Sequence, residues 1–590
     1  MLLDHFSALV GKAFAEQGLP ETLGRVIVAD RPDLADYQCN GALQAAKTAG
    51  KPPRAVAEGV LVTLKGMPEA DFYFSDISLA GPGFINFKIK DSYLSMALDG
   101  QSKMDQFGVQ APDKPKTYLI EYISANMGKR MHIGHLRNAM IGDAVRRMVK
   151  FKGHKTVTDN HLGDWGLPMG QILSETQRRH PDLPYFDDKK DGTYPEEAPI
   201  TFEELCEIYP AASQKSKDDP AELARAQEFT AKLQSGEYPG LTALWRYFMK
   251  LSLKDMNDKL DAFGVPRFDT YYGESHFQPL IPMVMDDMNA HGVLEEIDGA
   301  KGIRVQQETD KFDIPPLIVE KKMGGVTYAA TDIATFYQRQ KDFDPDVTII
   351  LTDFRQELHF VRVYRASKIA GYANKMEFVH LMYGTINDKE GKPYKTRNGA
   401  TPGFTFLLEM AEQKARERMT EIGLTDKLSP EEFDTTAKQI GLASIKFGDL
   451  INYRRSDYVF DLDRFVSFEG KTGPYLQYTV VRLHALLHKA AQQNLHPTGF
   501  TVDGDQREAA LLMLQFPDVF AAALQDYAPN VLADYLFRVA QSINRFYQNV
   551  HILTETDAAK QGAALALLAL GARILTQGLD ILGISVPKQM

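Results

Sequence analysis

Apolar residues follow two different spacings along this chain, and each spacing predicts a different kind of element. Short apolar runs typical of strands occur at 117–124 (TYLIEYIS), 155–160 (KTVTDN), 346–353 (DVTIILTD) and 377–386 (EFVHLMYGTI). Between the first two runs the spacing is helical, and one face carries Leu136, Met140, Ala144 and Met148. Strand, loop, helix and strand form a βαβ unit, which predicts a parallel sheet.

The spacing of apolar residues also divides the rest of the chain into segments. Residues 1 to about 112 combine helical periodicity with AGPGFINFKI (80–89), a turn followed by a strand, and the Pro-rich stretch 108–117 is typical of a linker. Residues 175–300 are polar and mostly helical, as an insertion would be, and residues after 402 are almost wholly helical. We therefore predict an α/β fold: a Rossmann-like parallel-sheet domain with a helical insertion, a small α+β N-terminal domain and an all-α C-terminal bundle.

Composition indicates the cellular compartment of the protein and limits the kinds of partner that it can bind. The net charge of −11 does not favour a nucleic-acid partner, but phosphate contacts depend on local clusters, and residues 128–155 hold eight Lys or Arg and one acid. Two distant cysteines favour a reducing compartment and argue against a Cys-based zinc site. The first residues lack a basic signal segment, and the apolar run GAALALLALGA is too short to cross a bilayer. We expect a cytoplasmic protein that does not bind membranes.

The stretch SANMGKRMHIGHLRN (124–138) is the strongest candidate for chemistry. His132 and His135 bracket Ile133 and Gly134, and Lys129 precedes them. The stretch follows a predicted parallel strand and leads into a helix, where ligands bind and where free N–H groups suit phosphate. The imidazoles could donate to phosphate oxygens, and Gly134 would let a ligand approach the backbone. The alternative is that both histidines are ordinary polar residues at a helix start.

Three acidic or aromatic residues form a second candidate. Glu121 lies in a strand that should be apolar, so its carboxylate needs a cationic partner. Tyr328 and Asp332 are four residues apart and share a helix face. Together the three could form a pocket for a guanidinium, which pairs its planar donors with carboxylates. The alternatives are an internal ion pair for Glu121 and a solvated helix face for the other two.

Two further features carry weaker signals. The loop DKEGKPYKTRNGATPG (388–403) follows the last predicted strand and carries Lys392, Lys395 and Arg397, so it could close over a triphosphate or be a plain surface loop. His484 and His488 have a spacing that can bind metal, but two histidines without further ligands do not make a zinc site. We interpret these two histidines as structural.

These stretches together resemble the class I aminoacyl-tRNA synthetases, and specifically the arginyl-tRNA synthetases. HIGH at 132–135 matches the class signature, and the arginyl pattern E-x-x-S-P-N-x-x-K-x-x-H-x-G-H-L-R is in register from Glu121 to Arg137. Further blocks in family order are LGDWG (162–166), TYAATDIA (327–334), DFRQELHF (353–360), KTRNG (395–399) and KTGPYLQY (471–478). AGPGFINF (80–87) looks like the end of the family's extra N-terminal domain, so the resemblance covers nearly the whole chain.

The resemblance implies ATP-dependent ligation of L-arginine to tRNA(Arg) through an arginyl-adenylate, with Mg²⁺ accompanying ATP, no zinc, tRNA bound before activation, and a monomer. The implied catalytic residues are Lys129, His132, His135 and Lys395. The implied ATP-binding residues are His132, Gly134, His135, His359, Gly384, Lys395 and Arg397. The implied arginine-binding residues are Glu121, Ser124, Asn126, Tyr328, Asp332 and Gln356. Candidates for stacking on tRNA bases are Tyr475, Tyr478 and Phe546, for which a core position is the alternative.

By the same resemblance, 1–112 is an additional domain that contacts the tRNA elbow and 113–174 with 301–400 is the catalytic domain. Residues 175–300 are its insertion, 401–455 are connecting helices near the acceptor stem, and 456–590 bind the anticodon. The sequence departs from the family where Ala125 replaces a proline, Gly128 an alanine, and Leu167, Pro168 and Met169 replace TQF. Thr396 replaces the second lysine of the class's K-M-S-K-S loop, and Lys129 is expected to supply the missing charge.

Three other functions share part of this pattern. A small nucleotidyltransferase can have a similar histidine turn but would be much shorter and would lack the helical C-terminal third. A class I synthetase for another amino acid would not need both Glu121 and Asp332. A non-enzymatic RNA-binding relative would not need the intact HIGH stretch or Lys129.

Overall fold

The computed structural model describes residues 2–29, 31–187, 193–394 and 403–590. Its strands are β1 (Val26–Val28), β2 (Tyr37–Cys39), β3 (Phe74–Ala80), β4 (Phe84–Ile89), β5 (Thr117–Glu121), β6 (Lys155–Asp159), β7 (Glu295–Ile297), β8 (Ala300–Ile303), β9 (Leu317–Glu320), β10 (Val347–Asp353), β11 (Glu377–Tyr383), β12 (Ile386–Asn387) and β13 (Tyr458–Val459).

The first helices are α1 (Leu2–Glu16), α2 (Gly41–Ala49), α3 (Pro53–Lys65), α4 (Pro68–Tyr73), α5 (Asp91–Ser102), α6 (Ile133–Lys152), α7 (Leu167–Arg179), α8 (Phe202–Asp218), α9 (Pro220–Ser235), α10 (Pro239–Ala262), α11 (Glu274–Phe277) and α12 (Ile281–Ala290). The later helices are α13 (Tyr328–Phe343), α14 (Glu357–Ile369), α15 (Phe406–Glu421), α16 (Pro430–Leu450), α17 (Leu462–Phe465), α18 (Gly473–Gln492), α19 (Arg507–Leu514), α20 (Phe516–Gln525), α21 (Pro529–Asn549) and α22 (Ala558–Ile581).

The chain divides into two compact units. The first contains Met1–Ala111, Met419–Phe447 and Phe465–Met590, and the second contains Pro112–Arg418 and Gly448–Arg464. The domain boundaries predicted from the sequence stay a prediction, because each compact unit spans more than one of the predicted domains.

A parallel sheet organises the second unit, as predicted. Its strand order is β11-β10-β5-β6, and each neighbouring pair is parallel. The four strands coincide with the apolar runs, except that β11 ends at Tyr383 rather than Ile386 and β5 ends at Glu121 rather than Ser124. Strand β5 ends early because Ile123 and Ser124 take positive φ angles of 76° and 48°, which an extended strand does not allow.

Helix α6 is the crossover between β5 and β6, and it lies deep in the second unit. The predicted apolar face is confirmed, because Leu136, Met140, Ala144 and Met148 are all buried. Asn138 on the same helix fixes the end of β5: its Oδ1 accepts from the Ile123 N–H at 2.7 Å, and its Nδ2 donates to the Leu351 carbonyl at 2.8 Å. The helix start is thereby held at the carboxyl ends of β5 and β10.

The insertion is helical from α7 to α12, as its pattern predicts. It is followed by a small antiparallel sheet, β7-β8-β9, that the sequence pattern did not indicate. This sheet and α12 to α14 share one apolar core that includes Phe277, Val319, Ile333 and Val363. The core fixes α13, which carries the predicted Tyr328 and Asp332 pair.

The first unit combines an antiparallel sheet, order β1-β2-β4-β3, with the C-terminal helices. Arg507 of α19 pairs with the buried Asp36 at 2.7 Å and donates to the Ile89 carbonyl at 2.8 Å. By length and hydropathy α22 could cross a membrane, although 78% of its most apolar window is buried, as in a core helix. The apolar run at 562–572 is therefore part of a longer helix than its own length indicated.

Candidate active site

A cavity of about 550 Å³ opens at the carboxyl ends of β5, β10 and β11. Ligands of open α/β sheets bind at this edge. The cavity brings together ten of the residues singled out in the sequence: Glu121, Ser124, Asn126, His132, Gly134, His135, Tyr328, Asp332, Gln356 and His359. The segments that supply them are far apart in sequence, so their assembly is a result of the fold.

The four residues from His132 to His135, which we call the imidazole turn, begin α6. Nδ1 of His132 accepts from the Gly134 N–H, and Nδ1 of His135 accepts from the His132 N–H, each at 3.1 Å. The two histidines thus form a reciprocal cap on the helix N-terminus. A neutral ring whose Nδ1 accepts must carry its proton on Nε2, so each imidazole keeps one N–H for another partner.

The charge state of these rings follows from their surroundings. Desolvation, followed by the neighbouring Lys129 charge, lowers the pKa of His132. Desolvation, followed by His132, lowers the pKa of His135 to about 3. Both rings are therefore neutral donors near pH 7, and His135 remains neutral well below that pH.

The cavity also has three acidic lining residues, and we call Glu121, Glu274 and Asp332 the acidic wall. The Asp332 carboxylate contacts Nε2 of His359 at 2.8 Å. Burial, together with the nearby Asp164 and Asp332 carboxylates, raises the pKa of Glu274 to about 7. Carboxylates that repel one another in this way gain stability when a cation binds between them.

Glu121 has the internal partner that the sequence raised as an alternative. Its Oε2 pairs with Arg339 at 2.6 Å, and Arg339 also pairs with the buried Asp159 at 2.6 Å. Burial would raise the pKa of Glu121, but the charges of Arg339 and His161 more than offset burial and lower it. The other oxygen accepts from the Ser124 hydroxyl at 3.0 Å. Glu121 is thus an ion-paired residue that also lines the cavity, rather than a carboxylate without a cation.

Tyr328 and Asn126 lie at the cavity in different ways. Tyr328 is 67% exposed, so its ring can contact a ligand from the solvent side. Asn126 packs against Gly163, where a Cβ would lie 2.4 Å from the Asn126 Oδ1. Glycine at position 163 is what allows the asparagine side chain to reach the cavity. The substituted Leu167, Pro168 and Met169 begin α7 and do not line the cavity.

Some predicted site residues lie elsewhere. Lys129 does not line the cavity, and its ammonium lies 4.1 Å from the centre of the Tyr209 ring. Gly384 is also off the cavity, where its N–H donates to the Arg454 carbonyl at 2.9 Å. Lys395 and Arg397 lie outside the residues that the structure describes.

Three of the eight basic residues at 128–155 are held in ion pairs, and of the eight only Arg137 is buried. Arg146 and Arg147 pair with Asp143 on their own helix at 2.7 and 2.8 Å. The buried Arg137 pairs with Asp449 at 3.3 Å and donates to backbone carbonyls. Charges already paired in this way stabilise α6 and are not free for a ligand.

The aromatic candidates for tRNA stacking lie in the first unit. Tyr478 is 41% exposed, and the half-buried Tyr475 accepts from Asn544 at 2.9 Å through its hydroxyl. Phe546 is only 2% exposed, so its assignment as a stacking residue is wrong and the core alternative is correct. Its position on α21 follows the 3.6-residue apolar stripe that faces the bundle core.

The sequence analysis missed two residues that define the site. Glu274 lies in the predicted insertion, and nothing in its local sequence indicates that it would reach the cavity. Arg339 could have been found, because it lies two helical turns after Asp332 on the same face of α13.

Comparison with known protein families gives matches along most of the chain. Residues 97–462 match the family described as tRNA synthetases class I (R), catalytic domain. Residues 2–89 match the arginyl tRNA synthetase N terminal domain, and residues 476–590 match the DALR anticodon binding domain.

Individual relatives are similar over their full length. The chain is 39% identical over 596 residues to the arginine–tRNA ligase of Alkaliphilus oremlandii and 40% identical over 594 residues to that of Maricaulis maris, covering 100% of each protein. Arginyl-tRNA synthetase structures from Plasmodium falciparum (TM-score 0.81, 21% identity) and Thermus thermophilus (TM-score 0.79, 24% identity) match 100% of this chain and 99% and 100% of theirs. At these identities the structures show a shared fold.

Proposed function

The chain belongs to the arginyl-tRNA synthetase family, a class I family that charges tRNA with arginine, and we propose that the cavity at β5, β10 and β11 activates the amino acid. The observation that carries the proposal is the polarity of this cavity. Its lining combines the acidic wall with the imidazole turn and its neutral donors. Arginine and ATP need these two opposite environments at one place.

The reaction proceeds in two steps. An oxygen of the arginine carboxylate attacks the α-phosphorus of ATP, the bond to the bridging oxygen breaks, and pyrophosphate leaves. A ribose hydroxyl of the tRNA 3′ adenosine then attacks the activated carbonyl carbon, and AMP leaves. The protein's contribution to the first step is positioning and stabilisation of the charge that develops on phosphate oxygens.

The acidic wall is proposed to hold the cationic end of arginine. Asp332 offers its carboxylate to the guanidinium, and Tyr328 provides an aromatic contact beside it. Glu121, held by Arg339, retains unshared electron pairs toward the cavity. A lysine ammonium is a compact point charge that cannot match a planar fork, so arginine is preferred.

Ser124, Asn126 and Gln356 are proposed to hold the amino and carboxylate end of arginine. They line the same cavity as the acidic wall and the imidazole turn. Held there, the carboxylate of arginine would face the phosphate that it attacks. Such positioning converts a bimolecular step into an effectively unimolecular one.

The imidazole turn is proposed to hold ATP. The Nε2–H groups of His132 and His135 donate to phosphate oxygens, and Gly134 leaves room at the N-terminus of α6. Lys129 adds positive charge, while His359 and Gly384, together with Lys395 and Arg397 of the basic loop, complete the nucleotide contacts. Mg²⁺ enters with ATP on its phosphate oxygens and supplies further charge neutralisation.

The remaining proposals concern tRNA and assembly. The C-terminal helices bind the anticodon, with the exposed Tyr478 and the half-buried Tyr475 as stacking candidates. Residues 1–112 contact the tRNA elbow, and arginine activation requires bound tRNA.

We also propose a cytoplasmic monomer, for which light scattering after gel filtration would give a mass near 66.1 kDa.

ATP–pyrophosphate exchange tests the proposal. We expect exchange to require arginine and tRNA together and to be absent when lysine replaces arginine. Exchange that does not depend on arginine would refute the proposed function, whereas exchange without tRNA would refute only the proposed tRNA requirement.

A further inference from the structure

The segment just before the imidazole turn lies on the helical insertion. The Gly128 N–H donates to the Ser252 hydroxyl of α10 at 3.0 Å. Gly128 has φ of +71°, and a Cβ there would lie 2.5 Å from the Ile172 side chain of α7. The backbone before Lys129 therefore has little freedom to move away from the insertion.

Helix α8 supplies the side-chain contacts of the same segment. Arg130 lies near Cys206, where it opposes the burial that raises the pKa of this thiol to about 11. Three residues further along α8, the half-buried ring of Tyr209 lies under the Lys129 ammonium at 4.1 Å from its centroid. Two consecutive basic side chains thus lie beside residues that are one helical turn apart on α8.

The group that contacts the Lys129 ammonium determines how much of its positive charge acts on the phosphates. A carboxylate would hold the ammonium but would also neutralise its field at the phosphates. An aromatic face attracts the cation through the ring quadrupole and leaves the net charge in place. Among the residues that the structure describes, no carboxylate forms an ion pair with Lys129.

The charge of Lys129, which precedes the imidazole turn by three residues, acts on that turn. Its charge contributes to lowering the pKa of both His132 and His135, after desolvation in each case. A charge that is felt by both rings is also felt by a phosphate bound to them.

We propose that Tyr209 is a positioning residue for adenylate formation, whose ring holds the Lys129 ammonium beside the imidazole turn without neutralising it. The inference rests on the proposed catalytic role of Lys129. It gives the insertion a part in the first chemical step, because α8 carries the ring and α7 and α10 fix the backbone before the lysine.

Tyr209→Leu and Tyr209→Phe in the full-length protein test this role. With tRNA present, Tyr209→Leu should slow adenylate formation at saturating substrates about tenfold, or about 1.4 kcal/mol. Arginine affinity should stay within about twofold, because the ring does not line the cavity. Tyr209→Phe keeps the aromatic face and should behave like the unsubstituted protein.

Tyr238→Leu is the matched control. The Lys232 ammonium lies 5.3 Å from the Tyr238 ring centroid, so this variant removes a similar contact from the same insertion without touching the Lys129 segment. Its adenylate rate should not change.

A double-mutant cycle separates positioning from a general structural effect. In a Lys129→Ala background, Tyr209→Leu should change the rate by less than about twofold, because its effect requires the lysine. An equal loss in both backgrounds, or a Tyr209→Leu rate equal to that of the unsubstituted protein, would overturn the inference. Absence of arginine-dependent exchange in the unsubstituted protein would instead refute the proposed function.

Discussion

The two sides of the cavity differ in how they are held together. The imidazole turn is fixed by hydrogen bonds between residues at most three positions apart, and desolvation keeps both rings neutral. The acidic wall draws Glu121, Glu274 and Asp332 from three distant segments, with Glu121 paired to Arg339 and Asp332 in contact with His359. Under the proposed function, the neutral donors serve the phosphates and the carboxylates select the cationic amino acid.

This division also explains why the turn relies on a separate lysine. Cationic imidazoles a short distance from three carboxylates would be attracted to the acidic wall rather than to phosphate. Neutral rings avoid that competition, and in the proposed function Lys129 supplies the positive charge. The two substrates can then be bound by groups that do not neutralise one another.

The largest expected effect is that of Lys129→Ala. Removing this charge should slow adenylate formation about a hundredfold, a typical loss for one electrostatic contact in a reaction of this kind, while arginine affinity is nearly unchanged. Rapid-quench measurement of the adenylate gives the rate, and equilibrium dialysis gives the affinity. If arginine binding weakened and the rate of adenylate formation were unchanged, Lys129 would be an arginine-binding residue rather than a catalytic one.

A smaller effect is expected for Asp332→Asn. Losing the carboxylate that faces the guanidinium should raise the arginine KM roughly thirtyfold, or about 2 kcal/mol, since hydrogen bonds to charged groups are worth about that much. The exposed His484→Ala in the first unit serves as a control that should not alter KM. An unchanged KM for Asp332→Asn would remove this residue from the acidic wall.

The acidic wall should also give arginine binding a pH dependence. Glu274 has a pKa of about 7 in the free protein, raised by burial and by Asp164 and Asp332. Above that pH its carboxylate is charged and attracts arginine, and below it the group is neutral. Arginine affinity should therefore fall about tenfold from pH 8 to pH 6. Glu274→Gln should abolish this dependence, and a persisting slope in that variant would assign it to another group.

The smallest expected effect is on the other side of the cavity. The pKa of His135 is about 3, so this ring stays neutral from pH 6 to pH 8, and desolvation lowers the pKa of His132 below its ordinary value. With arginine, ATP and tRNA saturating, adenylate formation should vary less than about twofold over that range. A clear loss of rate toward pH 6 would indicate that a ring of the imidazole turn becomes protonated in the complex.

The sequence predicted features that depend on neighbouring residues better than features that depend on contacts between distant segments. The parallel strands, α6 and the imidazole turn rest on periodicity and contiguous motifs, and they were predicted correctly apart from the early ends of β5 and β11. The Glu274 carboxylate could not be found, because its role depends on α11 folding back onto the cavity. Glu121 could be recognised as unusual, but its pairing with Arg339 depends on how β5 and α13 pack together.

Some residues were assigned to ligand binding from their charge or aromatic character alone, without knowledge of their burial. Arg137, Arg146 and Arg147 belong to a basic stretch in the sequence, yet all three form ion pairs inside the second unit. Phe546 shares the aromatic character of Tyr478 but lies on the buried face of α21. Only the packing of the helices distinguishes a side chain that faces solvent from one that faces the core.

The most direct test of the division between the two sides is one titration in three proteins. Adenylate formation is measured with saturating ATP and tRNA while arginine is varied, for the unsubstituted protein, His135→Ala and Asp332→Asn. We predict that His135→Ala lowers the maximal rate and leaves the half-saturating arginine concentration unchanged, and that Asp332→Asn does the reverse. If both substitutions changed the same parameter, the imidazole turn and the acidic wall would not have separate functions.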